Sequence, residues 1–233
     1  MKTIRMPAFL FVLLSATTLF AAPFTIGSMD GGDCYPFMCN DSGSSLGPSI
    51  MFQEAYNSSF FPGSVTIHSL QFQFFPKFGP AIELGGTYNF SLGYSAVGRA
   101  LGSTLSSNFM GSPTAVGTFT VPAGGINFGT LLTFNLSTPF AYNPSTADLL
   151  LEVDVTNQDD VQNNGTNGYN WADKTGTQVT RAYCVTNIGC FGDATAALVT
   201  TFNPTSIPEP GTLVMFASGL IGLAGFARRR FMR

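Results

Sequence analysis

The stretch Asn157 to Lys174, NQDDVQNNGTNGYNWADK, holds the side chains best suited to bind a ligand. Asp159, Asp160 and Asp173, with Asp154 shortly before them, carry the hard oxygens that calcium collects in sets of about six to eight. They form a candidate calcium set, although their spacing matches neither an EF-hand loop nor a calcium-binding nonapeptide. A solvated acidic loop is the competing reading. Tyr169 and Trp171 stand in the same polar run. An aromatic ring on a loop can stack on the apolar face of a sugar while nearby Asn and Asp side chains fix its hydroxyls. The two are therefore candidate glycan contacts, against the plainer role of a tryptophan folded back as a cap on the core.

Catalytic chemistry is harder to assemble. Glu152 and Asp154 sit two apart, hence on one face of a strand, and a carboxyl pair can hydrolyse a glycosidic bond. Because they alternate with Leu151 and Val153, the expectation is instead a solvent-facing strand edge. His68 is the only histidine of the chain and falls in an expected strand, where a structural role is the default. The sequence has no H-E-x-x-H zinc motif and no phosphate-binding P-loop. A protein that binds rather than catalyses is expected, with a secreted polysaccharide-active hydrolase as the alternative.

Cys34, Cys39, Cys184 and Cys190 are even in number, and disulfides are their default use in an exported chain. Of the pairings open to them, Cys34–Cys39 and Cys184–Cys190 are favoured, since each closes a short loop in a Gly/Asp/Asn-bearing segment. A zinc site is the rival, but the C-x4-C and C-x5-C spacings are not the usual C-x2-C.

The elements that must position these groups read as strands. Tyr88, Phe90, Leu92 and Tyr94 alternate with Asn89, Ser91 and Gly93, the period of a half-buried strand. Leu132 to Leu136, Leu149 to Val155, Val179 to Val185, Ala115 to Val121 and Ala196 to Phe202 extend the pattern. In Val65 to Phe75 the apolar phase switches: Val65 and Ile67 hold one phase, Leu70, Phe72 and Phe74 the other. Such a switch needs an extra residue near His68-Ser69, hence a β-bulge or a bend. Ser49 to Tyr56 is expected to form a short helical turn at most, and Ile26 to Ser49 an irregular, disulfide-tied leading loop. Eight or nine strands without helical periodicity predict an all-β fold, a two-sheet antiparallel β-sandwich of jelly-roll-like kind.

Both ends of the chain are signals rather than fold. Lys2 and Arg5 precede the apolar run Ala8 to Phe20, giving a signal peptide over 1–21 with cleavage after Ala21. At the other end, Pro208-Glu209-Pro210 is followed by Gly211 to Ala227, free of charge, and by Arg228, Arg229, Arg230 and Arg233. A helix over 211–227 is about 25 Å long, slightly short of a ~30 Å hydrocarbon core, and the arginines hold its end in the cytoplasm. Two prolines around a glutamate keep the tripeptide extended and accessible. Composition alone would allow an ordinary anchor, in which Ser218 and Gly222 pack a helix pair. An ordinary anchor, however, has no use for Pro-Glu-Pro at its outer edge.

Over 207–233 the chain resembles PEP-CTERM proteins of Gram-negative bacteria. The resemblance rests on Ile207-Pro-Glu-Pro-Gly-Thr-Leu, then Gly219-Leu-Ile-Gly222-Leu-Ala-Gly225, then the arginines of the tail 228–233. It implies an exosortase partner that acts at Pro208-Glu209-Pro210, membrane anchorage before processing, and a destination at the cell surface or in an exopolysaccharide matrix. The exported domain between the signals, 22–207, keeps four basic and twelve acidic residues, a balance of −8. That charge repels phosphate backbones and argues against nucleic-acid binding. The expected function is that of a non-enzymatic exported surface or matrix protein with exopolysaccharide as its candidate ligand.

Overall fold

The computed structural model describes residues 22–37, 50–75, 82–83, 85–127, 131–158, 170–185, 189–193 and 195–206. The strands follow in the order β1 Phe24–Ile26, β2 Gly31–Asp33, β3 Ile50–Tyr56, β4 Val65–Gln73, β5 Ile82–Glu83, β6 Gly86–Tyr94, β7 Thr114–Val121 and β8 Ile126–Asn127. Then come β9 Leu131–Tyr142, β10 Leu149–Thr156, β11 Asn170–Asp173, β12 Val179–Val185, β13 Gly189–Asp193, β14 Ala197–Leu198 and β15 Thr200–Ser206. Among the described residues the helical content is two short 3-10 turns, Ser58–Phe60 and Leu105–Asn108. No helix among the described residues is long and apolar enough to cross a membrane. The signal peptide and the 208–233 segment lie outside the described residues.

The expected all-β sandwich forms. A four-stranded sheet, β1-β15-β4-β9, and a six-stranded sheet, β13-β12-β3-β10-β6-β7, share one core, and a small sheet, β14-β11-β2, adds to them. Every pairing is antiparallel. Alternation sets the inner face: Leu149, Leu151, Val153 and Val155 of β10 are fully buried, as are Tyr88, Phe90 and Leu92 of β6. Aromatic rings fill the space between the sheets. Phe37, delivered by the leading segment, lies 4.9 Å from Phe72, 5.2 Å from Phe134 and 5.9 Å from Tyr88, ring centre to ring centre. Phe37→Ala is expected to cost about 3–5 kcal/mol, as for other fully buried aromatics, read as a fall in the urea midpoint. A loss below about 1 kcal/mol would show that the neighbouring rings collapse into the space.

The phase switch is resolved at His68. Ile67 pairs with Pro204 and Ser69 with Asn203, so His68 is the extra residue of β4, and its side chain is exposed. Opposite, the β9 register jumps from Phe140 to Asn135 over the same step.

Three readings are corrected. Ile50 to Tyr56 is no helical turn: it is β3, paired with β10 on one side and β12 on the other. The cause of the misreading is Glu54, which takes an inward position that alternation reserves for apolar side chains. The leading loop, which starts on the last residue of β1, contains a strand of its own, β2, paired along its length with β11. The strand carrying Glu152 and Asp154 is no sheet edge, since β10 has β3 and β6 as neighbours.

The six-stranded sheet ends at β13, a five-residue strand. The Cys184–Cys190 disulfide ties it to β12 at directly opposed positions. Gly192 of β13 faces the backbone of the segment around Leu101: a Cβ there would meet the Leu101 carbonyl oxygen at 2.6 Å. At the far end β7 lies against β9 of the other sheet.

Candidate functional site

The outer face of the six-stranded sheet is half covered and half open. Residues 95–110 fold back over it, laying Leu101, Leu105 and Phe109 on Ala55, Leu150 and Ala182 in a second apolar cluster. Phe109 can approach because position 93 is glycine; a Cβ there would meet its ring at 2.9 Å. A polar clasp fixes the segment. Gln53 Nε2 donates to the Leu105 carbonyl at 3.0 Å and to Glu152 Oε2 at 2.7 Å. Asn108 Nδ2 donates to Gln53 Oε1 at 2.8 Å and to the Gly102 carbonyl at 3.0 Å, while its Oδ1 accepts from Gly102 N. Each buried amide therefore has partners, as burial demands.

On the open half, register lines up polar side chains in rows across the strands. One row runs Met51, Asp154, Asn89, Thr118; the next runs Thr156, Thr87, Thr120. Glu152 and Ser91 stand opposite each other one step nearer the clasp. Thr118 donates to Asn89 Oδ1 at 2.9 Å. Thr118 and Thr120 are exposed, and Thr87, Asn89, Ser91, Glu152, Asp154 and Thr156 are half-buried. Partial burial raises the Glu152 carboxyl above its ordinary range, against the Gln53 hydrogen bond, which lowers it; the Asp154 charge adds to the rise. Partial burial raises Asp154 too.

A second polar group lies inside. Glu54 is fully buried on the inner face of β3, directly opposite Arg181 of β12. Arg181 is ion-paired with Asp33 of β2, and its guanidinium lies 5.0 Å from the centre of the Tyr183 ring. Tyr56 OH donates to Glu54 Oε2 at 3.1 Å and shares a 2.9 Å hydrogen bond with Thr200 Oγ1. Burial pushes the Glu54 carboxyl well above the usual range; the Tyr56 and Leu198 hydrogen bonds lower it, and the nearby Asp173 charge raises it further. Among the described residues, Glu54 Oε1, Asp173 Oδ2 and the Asn170 amide find no hydrogen-bond partner in their buried positions.

The sequence-picked residues fall apart in space. Trp171 is not on a loop: it lies in β11, half-buried, with its ring edge-on to Phe75 at 4.3 Å. Asp173 ends the same strand, wholly buried, its Oδ1 accepting from Thr175 N at 2.9 Å and Gly176 N at 3.3 Å to close a turn. Asp154 points outward from the large sheet, whereas Asp173 interacts with the inward Glu54, so these two do not converge. No three His, Cys, Asp or Glu side chains gather as a metal site among the described residues. Asp159, Asp160 and Tyr169 lie outside the described residues. Cys184 pairs with Cys190. Cys34 is also disulfide-bonded, and Cys39 lies outside the described residues. The spacing G-x-S-x-G occurs once, Gly43 to Gly47, outside the described residues.

What sequence reasoning missed is the clasp and the rows. Gln53 and Asn108 carry no motif, and the rows exist only once β3, β10, β6 and β7 are in register.

No curated protein and no solved structure matches the chain. Residues 206–230 match the PEP-CTERM protein-sorting motif. The chain thus carries the recognition signal of exosortase, and the motif implies an exported, exosortase-sorted protein.

Proposed function

We propose that this is a non-enzymatic surface or matrix protein of a Gram-negative bacterium, which holds exopolysaccharide after exosortase has processed it. The observation that carries the reading is the open half of the six-stranded sheet, a polar face of hydroxyls, the Asn89 amide and two carboxylates. Such groups match the hydroxyls of a sugar chain by hydrogen bonding. The sorting motif supports the same destination, since it directs the domain outward with its −8 balance.

The hydrolase alternative is disfavoured by geometry. Glycoside hydrolysis places two carboxyls on either side of the scissile bond. Glu152 and Asp154 rise from a single strand on one side of any ligand.

The test uses the full chain in detergent micelles with polysaccharide extracted from the producing organism's own matrix. Saturable binding without release of new reducing ends is the expected result. No binding, with calcium or with chelator, overturns the reading; release of reducing ends replaces it with the hydrolase. Loss of binding on chelation would assign the ion to the acidic run that includes Asp159 and Asp160. In the producing cell, Glu209→Ala together with Pro210→Ala is expected to leave the membrane-anchored precursor unprocessed, seen as a larger band on an immunoblot. Normal processing of that variant would separate the export route from the motif.

A further inference from the structure

We propose that the rows Met51-Asp154-Asn89-Thr118 and Thr156-Thr87-Thr120 form the saccharide-binding site, and that it takes an uncharged polysaccharide laid across the strands against the wall made by residues 95–110. This rests on the polysaccharide reading above and specifies its site and ligand class.

Three observations carry it. First, the register is regular: Asp154 stands between Met51 and Asn89, Asn89 opposite Thr118, and Thr87 between Thr156 and Thr120. Neighbouring strands are about 4.8 Å apart, close to the length of one pyranose residue, so each successive sugar meets a new side chain of the same row. Second, the chemistry alternates. Asp154 accepts from sugar hydroxyls, and threonine hydroxyls both donate and accept. Asn89 Oδ1 accepts from Thr118, so the amide's Nδ2 is the group it has to offer a ligand, as a donor. The threonine methyls offer apolar contact to ring C–H groups. Third, the charge selects. The rows hold a carboxylate with Glu152 beside it and no cation, so a polyuronate would bring like charge onto half-buried carboxylates.

The wall gives the face a direction. Residues 95–110 cover the sheet on the Leu150 side, and Gln53 bonded to Glu152 marks their border. A chain bound along the rows runs parallel to that border and is contacted from below and from one side. Trp171, packed against Phe75 in the small sheet, is outside this surface.

The test is co-sedimentation or affinity electrophoresis of the full chain with three probes: the producer's own matrix polysaccharide, a neutral glucan such as dextran, and alginate as a polyuronate. Asn89→Ala with Thr118→Val is expected to weaken binding to the matrix polysaccharide about tenfold, the equivalent of one or two lost hydrogen bonds. Asp154→Lys is expected to do the same and to admit alginate. Both variants should keep the wild-type near-ultraviolet circular dichroism, and Trp171→Ala should keep wild-type affinity. If the wild type binds but the row variants bind equally, or if Trp171→Ala alone abolishes binding, the site is elsewhere while the polysaccharide reading stands. Stronger binding of the wild type to alginate than to dextran overturns the ligand class. If the wild type binds none of the three, the broader reading itself fails.

Discussion

Arg181→Leu is expected to destabilise the protein by about 3–5 kcal/mol, the cost of stranding a buried charge. The guanidinium and the Asp33 carboxylate are each about a tenth exposed, at 10% and 9%, and they join β12 of the large sheet to β2 of the small one. Removing the cation leaves Asp33 buried opposite Asn170, whose amide finds no partner among the described residues. The pair itself need not be strongly stabilising, because desolvation offsets much of its attraction. Asp33→Leu combined with Arg181→Leu should therefore recover most of the loss. Urea unfolding of the two variants checks both statements. A single variant within about 1 kcal/mol of wild type would mean that Asp33 takes up a proton or reaches water once Arg181 is gone.

Glu54→Gln should stabilise the protein at pH 8 and have little effect at pH 4. Burial holds the folded-state Glu54 well above the usual carboxylate range, while in the unfolded chain it titrates at about 4.3. Below that value both states keep the proton, and ionisation contributes nothing. Above it the unfolded chain releases the proton while the folded chain retains it, so stability falls as pH rises. Tyr56, Thr200, Arg181, Asp173 and the Leu198 backbone surround the group. Tyr56 is itself raised by burial and by Glu54, so it stays a neutral donor. The substitution removes the slope that Glu54 contributes and is expected to gain about 1–3 kcal/mol at pH 8, the usual cost of an ill-satisfied buried group. Glu152 and Asp154, also raised, keep a smaller slope of the same sign. Midpoints of thermal unfolding from pH 4 to 8 measure it. Parallel curves for wild type and variant would show that Glu54 is ionised in the fold.

Legibility followed alternation. Strands whose inward side chains are apolar, such as β6 and β10, were readable residue by residue, and even the bulge at His68 was visible as a change of phase. β3 was not, because Glu54 occupies an inward site and Gln53 turns outward into the clasp. A local pattern cannot show that a carboxyl will be covered by strands more than a hundred residues away. Trp171 misled for the same reason: its neighbours are polar, yet pairing with Gly32 of β2 turns the stretch into a strand. The polar rows are illegible in principle. Asn89, Asp154 and Thr118 become neighbours only through register, a property of the assembled sheet.

The manner in which the six-stranded sheet stops bears on how copies of the protein behave when sorting delivers many of them to one place. A long, flat terminal strand would offer its unpaired amides and carbonyls to the next molecule and invite fibrous stacking. Here the terminal strand is β13, five residues long, crosslinked to its neighbour and with Gly192 close against the Leu101 backbone, while the opposite border, β7, lies against β9. Neither rim is a good template, so crowding disfavours strand-to-strand aggregation and leaves the polar face as the surface through which molecules meet their surroundings.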